Sequence, residues 1–180
     1  VDGGRLPEGI APPVSGSNRL VYTDPVSIGP APDDVGFEVN ARWNRKGFGV
    51  LDQYEFLNGC ESIELAQSIG LYIFNHAASD LCKWQRGASV WRNFFVTIAI
   101  PANLMHESSY VQEIKTIVSK AQPLPETLKI EVSESYLIEN PEQTLQTLSS
   151  LSDLGIGLII RDFGHGYASL GLLDRFPIDT

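Results

Sequence analysis

The sequence predicts an α/β fold built on a parallel sheet and wound as a (β/α) barrel. Three observations carry that expectation. Strand-like and helix-like segments follow one another as β–α–β–α–β with short connections. Two of the strands, FFVTIAI (94–100) and IGLII (156–160), are nearly all apolar, as strands covered on both faces are. Two others, GFEVNARW (36–43) and LKIEVSE (128–134), alternate and keep charged residues on one face. A barrel accepts such residues near its mouth, where active sites sit; an open doubly wound sheet buries both faces.

Residues 1–18 read as a linker or tail and 19–180 as one domain. Up to about residue 36, Gly and Pro recur so often that only one short strand fits, Arg19 to Thr23, ahead of Pro25. In the strand that follows, Phe37, Val39 and Ala41 point one way and Glu38, Asn40 and Arg42 the other. Two helices are expected next, about Glu55–Ser68 and Leu71–Arg86. After the strand at 94–100, a helix runs from about Ser109. Ser109 and Gln112 form a capping-box pair, and Val111, Ile114, Ile117 and Val118 an inner stripe. In LKIEVSE, Leu128, Ile130 and Val132 share one face and Lys129, Glu131 and Ser133 the other. Asn140 as N-cap and Pro141 at the first helical position open the next helix, striped by Leu145, Leu148, Leu151 and Leu154. The strand 156–160 ends at Arg161 and Asp162, GHGYASLGLLDRF turns into a helix, and FPID (176–179) begins another strand.

Composition narrows the class of function. Of the 180 residues, 43% are hydrophobic, enough for a core, and no stretch is long and apolar enough to span a membrane. The net charge of −9 and the lack of basic runs argue against polymeric nucleic acid and anionic membranes as partners. Val1 to Ile10 lack the apolar core of a signal peptide. The two cysteines, Cys60 and Cys82, both fall in expected helices without metal or redox spacing. They read as reduced core thiols of a cytoplasmic protein.

Four ionised groups fall at strand ends or on inward faces: Glu38, Arg42, Glu131 and Asp162, with Arg161 beside the last. Three carboxylates converging from three strands suit a hard cation; the plainer alternative is a solvated rim or a set of salt bridges. Gly164–His165–Gly166 is similar to a phosphate-cradling turn. Ser169 stands where a dinucleotide fingerprint needs its third glycine, so a tight strand-to-helix turn is the better reading. His76, His106 and His165 share no ligand spacing; His76 reads as structural and His106 as a loop residue. Trp43, Trp84 and Trp91 read as packing groups. No nucleophile motif supports Ser-His-Asp chemistry.

Together these segments resemble the EAL domains, bacterial phosphodiesterases and receptors for cyclic di-GMP. RDFGHGYASLGLLDRFPID is similar to the family's D-D-F-G-T-G-Y-S-S-L run, GFEVNARW to its G-x-E-A-L-L-R-W strand, VTIAIPANL to V-S-V-N-L-S, and LKIEVSES to L-x-L-E-I-T-E-S. Phe56 to Glu61 and Ala77 to Trp84 resemble its helix signatures, and TDPV (23–26) its Y-Q-P-I strand. The resemblance runs from about residue 20 to the end and implies a TIM-barrel-like fold. Family members continue into further strands, one with a catalytic Lys. The barrel part here is about 144 residues against roughly 200–250 for a full barrel, so five to six of eight strands are expected. Such a fragment leaves strand edges to be covered by a protein partner or a second copy.

The family's metal ligands carry over unevenly. Glu38, Glu131 and Asp162 match, but an Asn ligand becomes Ala99 and the first Asp of D-D-F-G becomes Arg161. Ala has no ligand atom, and Arg is charged at every working pH. Hydrolysis through two activating metal ions therefore loses its site, and neither a catalytic residue nor a bound metal is expected. Arg161 instead replaces the missing positive charge, pairing with Glu131, Asp162 or Glu38. For a ligand, the resemblance implies Asp24, Glu38, Asn40, Arg42, Glu131 and Asp162. Arg42 matches a residue that reaches a phosphate, while Asp24 sets an anion where the family has Gln, and Asn40 replaces the Leu of E-A-L.

Three readings stand. The first is a non-catalytic regulatory module of cyclic di-GMP signalling in the cytoplasm, alone or within a larger sensor, acting as a nucleotide receptor or through protein contacts. The second is an active phosphodiesterase with Mg²⁺ or Mn²⁺, producing pGpG, if the missing strands lie outside this sequence. The third is a structural or dimerisation domain without ligand.

Overall fold

The computed structural model describes residues 18–27, 35–45, 49–53, 62–87, 94–161, 164 and 174–178. Six strands form one sheet: β1 (Asn18–Ser27), β2 (Val35–Arg45), β3 (Gly49–Asp52), β4 (Phe95–Ala99), β5 (Leu128–Ser133) and β6 (Gly157–Arg161). The order along the sheet is β1-β2-β4-β5-β6, with β3 also on β2. β2, β4, β5 and β6 are parallel, as expected, while β1 and β3 run antiparallel to β2. The described residues form part of a (β/α) barrel.

The helices are α1 (Ile63–Gly87), α2 (Ala102–Met105), α3 (Ser108–Ala121), α4 (Glu134–Glu139) and α5 (Pro141–Ser152). The core lies between the sheet and this helix layer. β4 is buried along its whole length. Ile98, Ile130 and Leu158 from the strands meet Phe74 and Leu81 of α1, Ile114 of α3 and Leu148 and Leu151 of α5, each at most 2% exposed. Burying one such side chain is worth roughly 1.5–3 kcal/mol, so this layer holds the strands in place.

Several expectations are corrected. β1 continues past Thr23 to Ser27 because the ladder slips between Thr23 and Pro25, leaving Asp24 at an irregularity. A Pro is tolerated at such an irregularity, where the regular ladder is interrupted. β3 is an added hairpin strand, too short to register as a pattern. The helix break expected near Gly70 is absent: α1 runs straight through it. A side chain at Gly70 would sit 2.5 Å from the Tyr110 hydroxyl, so the glycine lets α1 and α3 approach. Burial in that contact pushes the Tyr110 hydroxyl well above its ordinary pKa. At α3 the N-cap is Glu107, without a side-chain bond, so no capping box forms. Asn140 is the N-cap of α5 with Pro141 behind it, but its amide donates to Gln143 instead (3.0 Å). α5 stops at Ser152, leaving Leu154 40% exposed. Phe176–Ile178 form no strand; Phe176 is buried as a cap on the core. The expected helix start at 55–61, with Cys60, lies outside the described residues. No helix among the described residues is long and apolar enough to cross a membrane.

Candidate functional site

The carboxyl ends of the parallel strands bring the inward residues into rows. The register sets Glu38 opposite Thr97, Ala99 opposite Glu131, and Ser133 opposite Arg161. Alternation decides which side chains share this face. On β2, Val39 and Ala41 are buried in the core, while Glu38 and Asn40 are half-buried and Arg42 is exposed. On β5, Leu128, Ile130 and Val132 are buried under the helices and Glu131 projects the other way, only 8% exposed.

At the centre is an ion pair. Arg161 Nε lies 3.3 Å from Glu131 Oε2, with side chains 30% and 10% exposed. This is one of the pairings that the residue types lead one to expect. A carboxylate this buried needs a positive partner, and the guanidinium is one that never gives up its proton. A hard cation takes six to eight oxygen ligands, or six in a strict octahedron. The donor set among the described residues does not fit one: Ala99 brings no side-chain oxygen, and the Glu131 carboxylate already faces a guanidinium. Next in the row, the Thr97 hydroxyl is fully buried with no hydrogen-bond partner among the described residues.

Two polar residues that sequence reasoning passed over complete the mouth. Gln53, directly after β3, is 4% exposed; its side chain accepts from Ala41 N–H (3.3 Å) and donates to the Ala99 carbonyl (3.1 Å). Glu134, also 4% exposed, accepts the backbone N–H of Gly164 at 2.9 Å, tying the end of β5 to the turn beyond β6. Ser133 caps α4 at this point by accepting from Tyr136 N–H. Glu134 falls within LKIEVSES, where it matches the second Glu of L-x-L-E-I-T-E-S, but its tie to Gly164 has no local signature; Gln53 lies in none of the family-like segments.

The remaining candidates divide. Asp24 stands at the irregularity in β1. Asp162, His165 and Gly166 lie outside the described residues, as does Trp91. His76 is a helix-surface residue, its Nδ1 2.9 Å from the Tyr72 carbonyl and its ring on Tyr72. His106 caps the end of α2, pairs with Glu139 at 2.9 Å and packs on Tyr136. Cys82 is buried with its thiol donating to the Ala121 carbonyl, and burial pushes its pKa up. Trp84 packs edge-on against Phe94 at the border of the core.

Comparison with known proteins places this architecture. The chain is 27% identical over 158 residues to MucR of Pseudomonas aeruginosa, a bifunctional diguanylate cyclase and cyclic di-GMP phosphodiesterase, covering 88% of this chain. It is 29% identical over 143 residues to the cyclic di-GMP phosphodiesterase PdeR of Escherichia coli, covering 79% of this chain. It spans 23% and 21% of the length of those two relatives. Among solved structures it is similar to the MucR phosphodiesterase in complex with c-di-GMP, with a TM-score of 0.78 and 27% identity. That match covers 90% of this chain and 64% of the other. The EAL domain model matches residues 20–180. The fold, the order of the motifs and this match agree, and the chain is a member of the EAL domain family.

Proposed function

We propose that this EAL domain is a non-hydrolytic module of cyclic di-GMP signalling, acting at a cytoplasmic site as a nucleotide receptor or through contacts with a protein partner or a second copy. What carries the reading is the Arg161–Glu131 ion pair, a fixed cation set against the carboxylate that would otherwise hold a metal. Ala99, opposite Glu131 in the ladder, supplies no replacement oxygen. Without a bound divalent cation there is nothing to lower the pKa of an attacking water, so the phosphodiester is recognised and released intact. Arg42, exposed at the end of the inward row of β2, is the group of choice for its phosphates. Relatives named as cyclic di-GMP enzymes support the nucleotide as the ligand class.

The test is a calorimetric titration of the chain with cyclic di-GMP, with and without Mg²⁺, beside an assay for pGpG in Mn²⁺. Metal-independent binding that Arg42→Ala abolishes, with no product, is the expected result. Appearance of pGpG overturns the reading in favour of a phosphodiesterase. Absence of binding by a folded chain removes the receptor role and leaves protein contact. The double variant A99N/R161D, which returns two oxygen ligands and removes the cation, is expected to gain Mn²⁺ binding that the parent chain lacks.

A further inference from the structure

One edge of β2 is shared by two partners. β4 pairs with Gly36–Val39, ending at Val39 opposite Ile98. β3 pairs with the other end, starting at Arg42 opposite Asp52. Asn40 and Ala41 fall between the two ladders. The antiparallel register carries the next residue, Gln53, opposite Ala41, and there a side chain takes over the work of a backbone. Its carboxamide accepts from Ala41 N–H at 3.3 Å and donates to the Ala99 carbonyl at 3.1 Å. A carboxamide has the acceptor and donor of a peptide group, so it bridges two strands whose own peptide groups have parted. The bridge is buried, which raises the penalty for leaving either backbone group unmet.

We propose that Gln53 is a positioning residue of the mouth: it fixes β2 to β4 at the row of Ala99 and Glu131, and thereby sets where Asn40 and Arg42 stand. Its bearing on ligand affinity rests on the nucleotide reading above; its bearing on strand position does not. Gln53→Glu separates positioning from mere filling of space. The glutamate has the same shape and still accepts from Ala41. Ionised, it sets a negative charge against the Ala99 carbonyl; protonated, its hydroxyl donates as the amide does. Burial and the facing carbonyl act to raise its pKa above the ordinary carboxylate value, against the single Ala41 N–H that favours the ionised form. The clamp is therefore closed below that pKa and opens as pH rises through it. The wild-type carboxamide does not titrate. Glu38 and Arg42 on β2, Lys129 and Glu131 on β5, Glu134 of α4 and Arg161 on β6 lie on the same side of the sheet or at its mouth, and their response is read from wild type.

The experiment follows backbone amide signals of Asn40 and Arg42 between pH 5 and 8 in wild type, Q53A and Q53E, with amide-exchange protection of Ala41 and Ile130 at neutral pH. In Q53E, the Asn40 and Arg42 signals are expected to move together with one elevated midpoint absent from wild type and Q53A. In Q53A, Ala41 is expected to lose about tenfold in protection while Ile130 keeps its own. Equal loss at Ala41 and Ile130 reduces Gln53 to a contributor to overall stability and overturns the proposal. So does a Q53E titration no different from wild type. Calorimetry with cyclic di-GMP is the second readout, with Q53E expected to bind like wild type at pH 5 and like Q53A at pH 8. If wild type binds no nucleotide, the receptor reading falls, and Gln53 is judged on the amide signals.

Discussion

On β5, Leu128, Ile130 and Val132 point into the helix layer and are at most 1% exposed, while Lys129, Glu131 and Ser133 alternate with them along the opposite face. The same strand thus belongs to two environments. On the helix side, stability comes from apolar area and close packing, which many side chains share. On the mouth side it comes from a few directed contacts, Arg161 to Glu131, Gln53 to Ala41 and Ala99, and Glu134 to Gly164. The first tolerates sequence change as long as volume is kept; in the second, a changed residue type changes what the site can do. Ala99 illustrates this: an alanine there is harmless to the sheet and brings no side-chain oxygen to the mouth.

Four primary substitutions, two of them with a companion change, sharpen the contrast, from the largest effect down. Ile130→Ala opens a cavity in the packed face and is expected to cost about 2–5 kcal/mol in chemical denaturation; a loss under about 1 kcal/mol means the face is loosely packed. Arg161→Ala takes the guanidinium away from the Glu131 carboxylate and is expected to cost about 1–3 kcal/mol, discounted from a fully buried pair because the guanidinium is partly exposed. Adding Glu131→Gln should return part of that loss, and strictly additive effects in this double-mutant cycle would show the pair to be inert. Gly70→Ala gains helix propensity but drives a methyl group into the Tyr110 hydroxyl, for a net loss of about 1–2 kcal/mol. Tyr110→Phe in the same background should relieve it. The phenol also leaves a signature in alkali. Its folded pKa is raised, so its contribution is complete below about pH 10 and is lost above that, at up to about 1.4 kcal/mol per pH unit. Tyr110→Phe should flatten that slope by one proton. Glu139→Gln breaks the exposed pair with His106 and should change stability by less than about 0.5 kcal/mol; a larger effect would make this contact a structural one.

The packed face was legible in the amino-acid order because period-two and helical stripes are local. Val39 and Ala41, Ile130 and Val132, and Ile114 and Val118 all stand where the pattern puts them. Errors arose where a distant partner decides. Gly70 reads as a helix break until Tyr110 is seen across it, and β3 exists because β2 has a free stretch of edge for it to pair with. At the mouth, the charged pair could be anticipated from an arginine among carboxylates. The partners of Gln53 and Glu134 could not, because each serves a backbone group, 46 and 30 residues away, that carries no signature of its own; Glu134 itself stands in the LKIEVSES segment.

The arrangement around β2 also bears on the order in which the molecule assembles. β1, β2 and β3 form an antiparallel meander within residues 18–52, each pair closed by a short connection. β4 reaches β2 only after a crossover that includes the 25-residue α1. Loop-closure entropy and the dependence of speed on contact separation favour the meander first. By the same measure β4–β5 and β5–β6, whose partners lie 32 and 28 residues apart, close more readily than β2–β4, whose partners lie 59 apart. The molecule then has two early nuclei, the meander and the β4–β5–β6 ladder, and the junction of β2 with β4 that Gln53 bridges closes last. On that route, weakening either nucleus slows folding, whereas weakening the bridge chiefly hastens unfolding.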